Sequence, residues 1–281
     1  MKKAAYLLVI AALAACEQSA DIPVPYEGDR IVVNSLMQED SVIYLRLTRS
    51  QPPGATTFPE IKNAGIKLTA GDAPVAMQFR EINGKGYYVS ATTVAAGKPY
   101  RIEVTAGGLP AVKAEDTLPR RPRLHDPFAQ AGGNRVKVYL DDRPGIDRYR
   151  IRLFGAKKDA DGKYVPVSRK EYRFDPSYNN NFTDLITETY HEYSLIPDER
   201  FDGRDILVVL QTRQVLVKDE VLLLEVTGLT SASWQYLKSL QLQSSGEGNL
   251  FVDPAVVFSN VDKGYGIFAG VSSGWLEIPI K

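Results

Sequence analysis

The sequence predicts a mainly β protein that is built from two domains and contains one short helix. Segments that are apolar, or that alternate between apolar and polar residues, follow one another along the chain between Gly, Asn, Asp and Pro turns. That pattern is typical of β-strands. The length of 281 residues is enough for two hydrophobic cores. Only the segment from Thr230 to about Gln243 repeats apolar residues at helical spacing, so one helix is expected.

The first domain is predicted over residues 30–118. Ile31–Met37 is a short apolar run, and Ser41–Ser50 alternates so that Ile43 and Leu45 share one face. Further strands are expected at Gly65–Ala70, Val75–Glu81, Gly86–Ala91 and Lys98–Ala106. About seven short strands separated by turns are typical of a β-sandwich of the immunoglobulin or fibronectin type.

A tyrosine near the end of this region also favours such a sandwich. Gly97–Val104 resembles the late strand of immunoglobulin- and fibronectin-like modules, in which a tyrosine at the corner ties its hydroxyl back to the backbone. Tyr100 occupies that position here. An ordinary strand tyrosine would give the same local sequence, so both interpretations stay open at this point.

A second, larger β domain is predicted over residues 127–281, after a Pro-rich and basic linker at residues 119–126. Asn134–Leu140 and Asp147–Gly155 are expected to pair as a hairpin. Two continuous apolar runs predict strands with both faces covered, Ile206–Gln211 and Val221–Thr227. Thr230 can cap the single helix. Other strands are expected at Tyr164–Phe174, Ala255–Ser259, Gly266–Val271 and Gly274–Ile280.

The N-terminal segment, residues 1–15, is predicted to be a signal peptide. Lys2 and Lys3 precede an apolar run, Ala4–Ala15, that would rise only about 18 Å as a helix, which is too short for the ~30 Å hydrocarbon core of a membrane. Leu13-Ala14-Ala15-Cys16 resembles a bacterial lipobox, where the cysteine becomes the acylated first residue of the mature protein. An ordinary signal peptide with an incidental cysteine is the alternative. Because several acyl chains bind a membrane stably, lipidation of Cys16 would anchor the protein.

A flexible tether is predicted between this anchor and the first strand. Residues 16–29 include Pro23, Pro25 and Gly28 and have no periodic apolar pattern. Such a segment can extend to about 40 Å. The tether is compatible with either the periplasmic or the cell-surface side of an outer membrane.

Composition argues against most catalytic and nucleic-acid-binding functions. The balance of 34 Lys and Arg against 34 Asp and Glu excludes a dedicated nucleic-acid binder, which needs a basic face. One cysteine and two histidines leave few ways to build a metal centre or a nucleophile–base pair. Gly270–Gly274 matches the G-x-S-x-G pattern, but that pattern requires a following helix and downstream Asp and His. We therefore expect no enzyme, no cofactor and no metal site.

Two smaller features receive simple interpretations. Asp159-Ala160-Asp161-Gly162 has the start of a calcium loop, but the twelfth position is Lys170, where such a loop needs an acid. A hairpin turn explains these residues better. His125 and His191 are expected to be surface or packing residues.

An aromatic-rich stretch is the candidate contact surface. Its members could be exposed for contact with a glycan or a protein, because tyrosine combines an apolar ring with a polar end. Packing inside a sandwich is the alternative. Asn179–Asn181 among them indicates a loop tip. The candidate residues are Tyr172, Tyr178, Phe182, Tyr190 and Tyr193.

Several segments together resemble a known family. The most specific is Phe251–Phe268, and the others are Ile31–Met37, Ser41–Thr48, Phe58–Leu68, Gly97–Tyr100, Leu118-Pro119 and Phe201-Asp202-Gly203. They are similar to a Bacteroidota outer-membrane lipoprotein family with a domain of unknown function, number 4249. The resemblance carries no established biochemical activity. It implies an accessory role in uptake, because such proteins are typically encoded beside TonB-dependent outer-membrane receptors.

The sequence therefore predicts a non-catalytic, lipid-anchored protein of the cell envelope. Its expected partners are the membrane, through acylated Cys16, and an outer-membrane β-barrel receptor. The alternative is a surface module that binds a glycan or a peptide. The receptor hypothesis rests on the family resemblance, and the alternative rests on the aromatic stretch.

Overall fold

The computed structural model describes residue 26 and residues 28–52, 54–178, 188–246 and 256–281. The protein is mainly β, as predicted. The first half contains β1 (Ile31–Gln38), β2 (Val42–Arg49), β3 (Gly65–Ala70), β4 (Ala73–Val75), β5 (Met77–Ile82), β6 (Lys85–Thr93), β7 (Tyr100–Thr105) and β8 (Val112–Asp116).

The second half contains further strands and the helix that the sequence predicts. They are β9 (Arg123–Ala129), β10 (Arg135–Asp141), β11 (Arg148–Lys158), β12 (Tyr164–Lys170), β13 (Tyr172–Phe174), β14 (Tyr193–Pro197), β15 (Asp205–Thr212), β16 (Val221–Leu229), α1 (Ser231–Gly246) and β17 (Tyr265–Pro279). Strand β9 thus includes part of the segment that the sequence predicts as a linker.

The strands form three sheets. The long sheet has nine strands in the order β12-β11-β16-β17-β1-β2-β6-β5, with β14 also paired to β11. The first covering sheet has the order β4-β3-β7-β8, and the second covering sheet has the order β13-β15-β10-β9. Each covering sheet packs on the long sheet, which gives two sandwich-like halves.

Strand β17 joins the two halves. It pairs in parallel with β1 from Tyr265 to Val271 and antiparallel with β16 from Val271 to Pro279. The sequence predicts two separate strands here, with a break at residues 272 and 273, and that prediction is wrong. The glycines that indicate a break from sequence lie inside one continuous strand of 15 residues.

Two hydrophobic cores lie on the same face of the long sheet. In β17, Phe268 belongs to the first core and Ile278 to the second, and these even-numbered positions point to one side of the strand. The first core is built from β1, β2, β3, β6, β7 and β8 and is completed by Val261 and Phe268. The first core therefore depends on residues that are far away in the sequence.

Between the two cores, one segment of the chain crosses the face of the long sheet, at positions where the sheet strands have glycines. A Cβ atom on Gly270 would lie 1.8 Å from the carbonyl oxygen of Thr117, and one on Gly274 would lie 2.4 Å from that of Pro122. A Cβ atom on Gly228 of β16 would lie 2.7 Å from the carbonyl oxygen of Arg120. We call residues 117–122 the crossing segment. Its backbone lies directly on the sheet, so the glycines of the G-x-S-x-G pattern serve packing.

Polar contacts hold the crossing segment near both of its ends. Asp116 accepts hydrogen bonds from the Gly270 N–H at 2.9 Å and from the Thr230 hydroxyl at 2.6 Å. Burial raises the pKa of Asp116. Arg121 pairs with Glu39 at 2.9 Å, and Glu39 also accepts a hydrogen bond from the Ser272 hydroxyl. Strands β8 and β17 and helix α1 thus meet at Asp116.

Helix α1 forms where the sequence predicts it. The Thr230 hydroxyl accepts the Ser233 N–H at 3.2 Å, which is an N-cap. Trp234 and Leu237 pack on Leu229 and Val271, so the helix lies on the outer face of the long sheet. Within the described ranges, no helix is long and apolar enough to cross a membrane.

Two local predictions have different outcomes. The sequence leaves two interpretations of Tyr100 open, and the structure has the tie to the backbone: the Ala95 N–H donates to the Tyr100 hydroxyl at 2.8 Å, and Tyr100 is buried. The predicted hairpin of Asn134–Leu140 and Asp147–Gly155 is wrong. β10 lies in the second covering sheet and β11 in the long sheet, because the connection passes from one layer of the sandwich to the other.

We predict that Gly270→Ala destabilises the protein strongly. The added methyl group would overlap the Thr117 carbonyl, and relieving that overlap requires a shift of backbone. The expected loss in the free energy of unfolding is at least about 2 kcal/mol, measured by urea denaturation. Gly107→Ala is the control, since a Cβ atom there meets nothing within 4 Å. An equal effect of both substitutions would contradict the close crossing.

Candidate functional site

The candidate site is the outer face of the second covering sheet. Val136, Val138 and Leu140 of β10 point into the second core, so the alternating residues point outward. We call the outward group the aromatic–cationic face. It consists of Phe128, Arg135, Lys137, Tyr139 and Arg173, with Tyr178 and Tyr190 packed on it.

The centre of the face is a lysine between two aromatic rings. The Lys137 Nζ atom lies 4.7 Å from the ring centroid of Tyr178 and 5.9 Å from that of Phe128. The Arg135 guanidinium carbon lies 5.6 Å from the Tyr178 centroid. Tyr178 and Phe128 remain 45% and 47% exposed. The arrangement presents apolar rings and cations together to solvent.

Tyr190 reaches the same face through a row of paired residues that runs across three neighbouring strands. Arg173 of β13 and Arg135 of β10 both lie opposite Gln211 of β15. The Tyr190 ring centroid is 5.4 Å from the Arg173 guanidinium carbon and 5.1 Å from that of Arg213. Tyr178 and Tyr190, which the sequence proposes as contact residues, therefore lie on one surface.

A histidine that is hydrogen-bonded to two carboxylates lies at the border of the face. The His125 ring stacks on Tyr139 with 5.3 Å between centroids. Its Nδ1 lies 2.9 Å from an oxygen of Asp126, and its Nε2 lies 3.1 Å from an oxygen of Asp205. These hydrogen bonds to two carboxylates raise the pKa of His125, so the ring keeps its positive charge to a higher pH than a free histidine does.

The other candidate residues lie elsewhere. Tyr172 is fully buried and donates its hydroxyl hydrogen to the Ile151 carbonyl at 2.8 Å, so its assignment to an exposed surface is wrong. It fills the second core. Tyr193 is half-buried and packs with Leu195 beneath helix α1, on the opposite side of the sandwich. Cys16 and Phe182 lie outside the described residues.

The sequence prediction missed Phe128, Lys137 and Tyr139. The alternation of Arg135–Leu140 indicates which residues point outward, and it was available from the sequence. The contact between Lys137 and Phe128 depends on the pairing of β9 with β10, which the sequence does not indicate.

Three carboxylates gather where the chain passes between the sheets. The ligand oxygens of Asp142, Asp198 and Asp202 lie within 4.8 Å of one another. The Gly203 N–H donates to Asp142 at 2.8 Å, and the Asp147 N–H donates to Asp198 at 2.6 Å. Hard cations prefer such oxygens, but backbone N–H groups already use them. The cluster holds the loops between the two layers.

Burial affects the protonation of one member of this cluster, Asp198. Asp198 is 2% exposed. Its burial and the nearby charge of Asp142 raise the pKa of Asp198. Tyr149 donates its hydroxyl hydrogen to the buried Asp142, which provides that side chain with a hydrogen-bond partner.

The two serines of the G-x-S-x-G pattern have structural partners. The Ser272 hydroxyl donates to Glu39 at 3.1 Å, and the Ser273 hydroxyl donates to Glu225 at 3.2 Å. Asp159 accepts the N–H groups of Asp161 and Lys163. That contact supports the interpretation of this segment as a hairpin turn.

The family comparison matches almost the whole chain. A family model described as "Domain of unknown function (DUF4249)" covers residues 17–275. The chain belongs to the DUF4249 family. No curated protein matches it significantly. A solved structure titled "Cytokine receptor complex - Crystal form 1A" is 11% identical over 88% of this chain and 95% of that chain, with a TM-score of 0.27.

We predict that Asp198→Asn stabilises this DUF4249 protein at neutral pH. Because the pKa of Asp198 is raised on folding, the stabilisation from its protonation is present at low pH and is lost as the pH rises through the folded-state pKa. Asparagine stays neutral and can still accept the Asp147 N–H. The free energy of unfolding at pH 7 should therefore rise, with a smaller gain near pH 4.

The measurement is urea denaturation of both proteins at the two pH values. Asp161→Asn is the control, because Asp161 is exposed and its replacement should change stability by less than about 0.5 kcal/mol. A less stable Asp198→Asn variant at pH 7 would contradict the burial argument.

Proposed function

We propose that this chain is a non-catalytic, lipid-anchored protein of the outer membrane that assists a TonB-dependent receptor in nutrient uptake. The lipobox-like segment that ends at Cys16 supports the anchor. The resemblance to outer-membrane lipoproteins supports the receptor as partner. Residues 16–29 would let the folded part move up to about 40 Å from the membrane surface.

The observation that carries the proposal is the aromatic–cationic face. Protein interfaces are enriched in Tyr, Phe and Arg, and the residues that contribute most to binding are commonly Tyr, Trp and Arg. Here Tyr178 and Phe128 are about half exposed, and Lys137 and Arg135 lie over the Tyr178 ring. These contacts hold the side chains in place before a partner binds, which reduces the entropy cost of binding.

The two serines of the G-x-S-x-G pattern support a non-catalytic role. Ser272 and Ser273 donate to carboxylates, and Gly270 and Gly274 are needed for the crossing segment. The G-x-S-x-G pattern therefore has a structural explanation. His125 hydrogen-bonds two carboxylates and lies on the second covering sheet, away from these serines.

A second candidate function uses the same face. The exposed rings of Tyr178 and Phe128 can stack on a sugar ring or accept an extended peptide. The protein would then bind a glycan or a peptide itself. Recovery of a receptor with the protein favours the first function, and its absence favours the second.

We predict that Cys16→Ser releases the protein from the membrane. Without the thiol no acyl chain can be attached, and the described residues offer no helix that spans a membrane. Fractionation of cells that express the tagged variant should move it from the outer-membrane fraction to a soluble fraction. Ser19→Ala, three positions after Cys16, is the control. A variant that stays in the membrane fraction would argue against lipid anchoring.

We predict that Lys137→Glu weakens recovery of the receptor. The substitution places a carboxylate between two aromatic rings, where it repels their negative faces. Affinity purification from native membranes should recover a β-barrel receptor with the unchanged protein and at least about tenfold less with the variant.

Lys67→Glu is the matched control for this experiment. Lys67 is an exposed lysine on β3 of the first covering sheet. Its replacement by glutamate changes the net charge of the protein by the same amount as Lys137→Glu does. Equal losses with both variants would exclude the aromatic–cationic face as the contact, and repeated recovery of the lipoprotein alone would exclude the receptor partner.

A further inference from the structure

A pocket lies on the outer face of the long sheet, next to its edge strand β12. The cavity has a volume of about 310 Å³, which is at the low end for ligand pockets. Most of its wall is apolar, and two charged residues stand at its border. The residues that matter for the argument are Lys163, Tyr164, Pro166, Leu223, Trp275 and Glu277.

The indole of Trp275 is the main feature of this pocket. Trp275 points outward from β17 and is 43% exposed. Its ring centroid lies 5.7 Å from that of Phe154, and Arg152 lies over the Phe154 ring at 5.3 Å. Arg152 in turn donates to the buried Glu225. A chain of contacts therefore holds the indole in place while part of its surface faces the pocket.

The chemistry of the pocket matches a neutral sugar ring. A pyranose has apolar C–H faces that stack on an aromatic ring, and its hydroxyl groups lie at the edges. Trp275, Pro166 and Leu223 provide the apolar wall. Lys163 provides a hydrogen-bond donor and Glu277 an acceptor. Since the two charges are opposite, the pocket offers no net attraction to an anion or a cation.

We propose that the pocket binds a single neutral pyranose ring, stacked on Trp275 and hydrogen-bonded to Lys163 and Glu277. The small volume limits the ligand to one ring or to the end of a longer glycan. This site is separate from the aromatic–cationic face. Trp275 and Tyr178 lie on the outer faces of different sheets, with the second core between them. The proposal therefore does not rest on the receptor contact.

The fluorescence of Trp275 provides the test. The chain has two tryptophans, so Trp234→Phe leaves Trp275 as the sole indole emitter. The full chain with this substitution is titrated with the methyl α- and β-pyranosides of glucose, galactose and mannose. We expect a saturable change in emission with at least one of them, at a Kd of roughly 1 mM because a single ring makes few contacts.

Variants identify the site. Saturation-transfer NMR with the same sugars should show binding at least about tenfold weaker for Trp275→Ala and for Glu277→Ala. Tyr265→Ala is the matched control, because Tyr265 lies on the same strand with 46% exposure and does not line the pocket. Tyr178→Ala should also bind normally, which separates this site from the contact surface. Circular dichroism establishes that each variant is folded.

Three results would overturn the proposal. The first is no change in Trp275 emission with any pyranoside up to about 100 mM, roughly a hundredfold above the expected Kd. The second is sugar binding that Trp275→Ala leaves unchanged. The third is binding of p-cresol without binding of any sugar, which would identify a pocket for an apolar side chain.

Discussion

The structure depends on the close crossing of residues 117–122 over the glycines of the long sheet. A Cβ atom on residue 270 would lie only 1.8 Å from the Thr117 carbonyl oxygen, so no residue larger than glycine fits there without a backbone shift. This contact lets the chain pass between the two cores and reach the second covering sheet. Strand β17 can then continue from one core to the other on a single face of the long sheet.

A consequence is that the two halves are not built independently. β1 pairs with β17, so the start of the described chain and its end lie side by side. Phe268 completes the first core, and Asp116 connects β8, helix α1 and Gly270. Completion of the first core therefore requires residues that are far away along the chain, and such distant pairings are slow to form.

Local patterns predicted the parts of the fold that are determined locally. The helix that Thr230 caps and the covered faces of β16 follow from residue spacing. The Tyr100 tie is one of the two interpretations that the local sequence allowed. The continuity of β17 could not be predicted from spacing, because glycines that permit a close crossing resemble glycines of a turn. The burial of Tyr172 could not be predicted in this way either, since an aromatic side chain gives the same local sequence pattern whether it faces the core or solvent. For the candidate site, the sequence identified Tyr178 and Tyr190 but missed Lys137, whose contacts arise from sheet pairing.

The two outer faces offer different chemistry. The second covering sheet presents rings and cations for a proposed receptor contact, and the long sheet presents the small pocket at Trp275. Trp275 lies on β17 itself, and the second covering sheet packs on the half of the long sheet in which β17 pairs with β16. Native-state hydrogen exchange tests most directly whether the two halves depend on each other. It compares the amides of β1, in the first core, with the amides of β16, at the second core. The account predicts that both sets open with the same free energy, as one cooperative unit. Opening of β1 at a clearly lower free energy, while β16 stays protected, would contradict it.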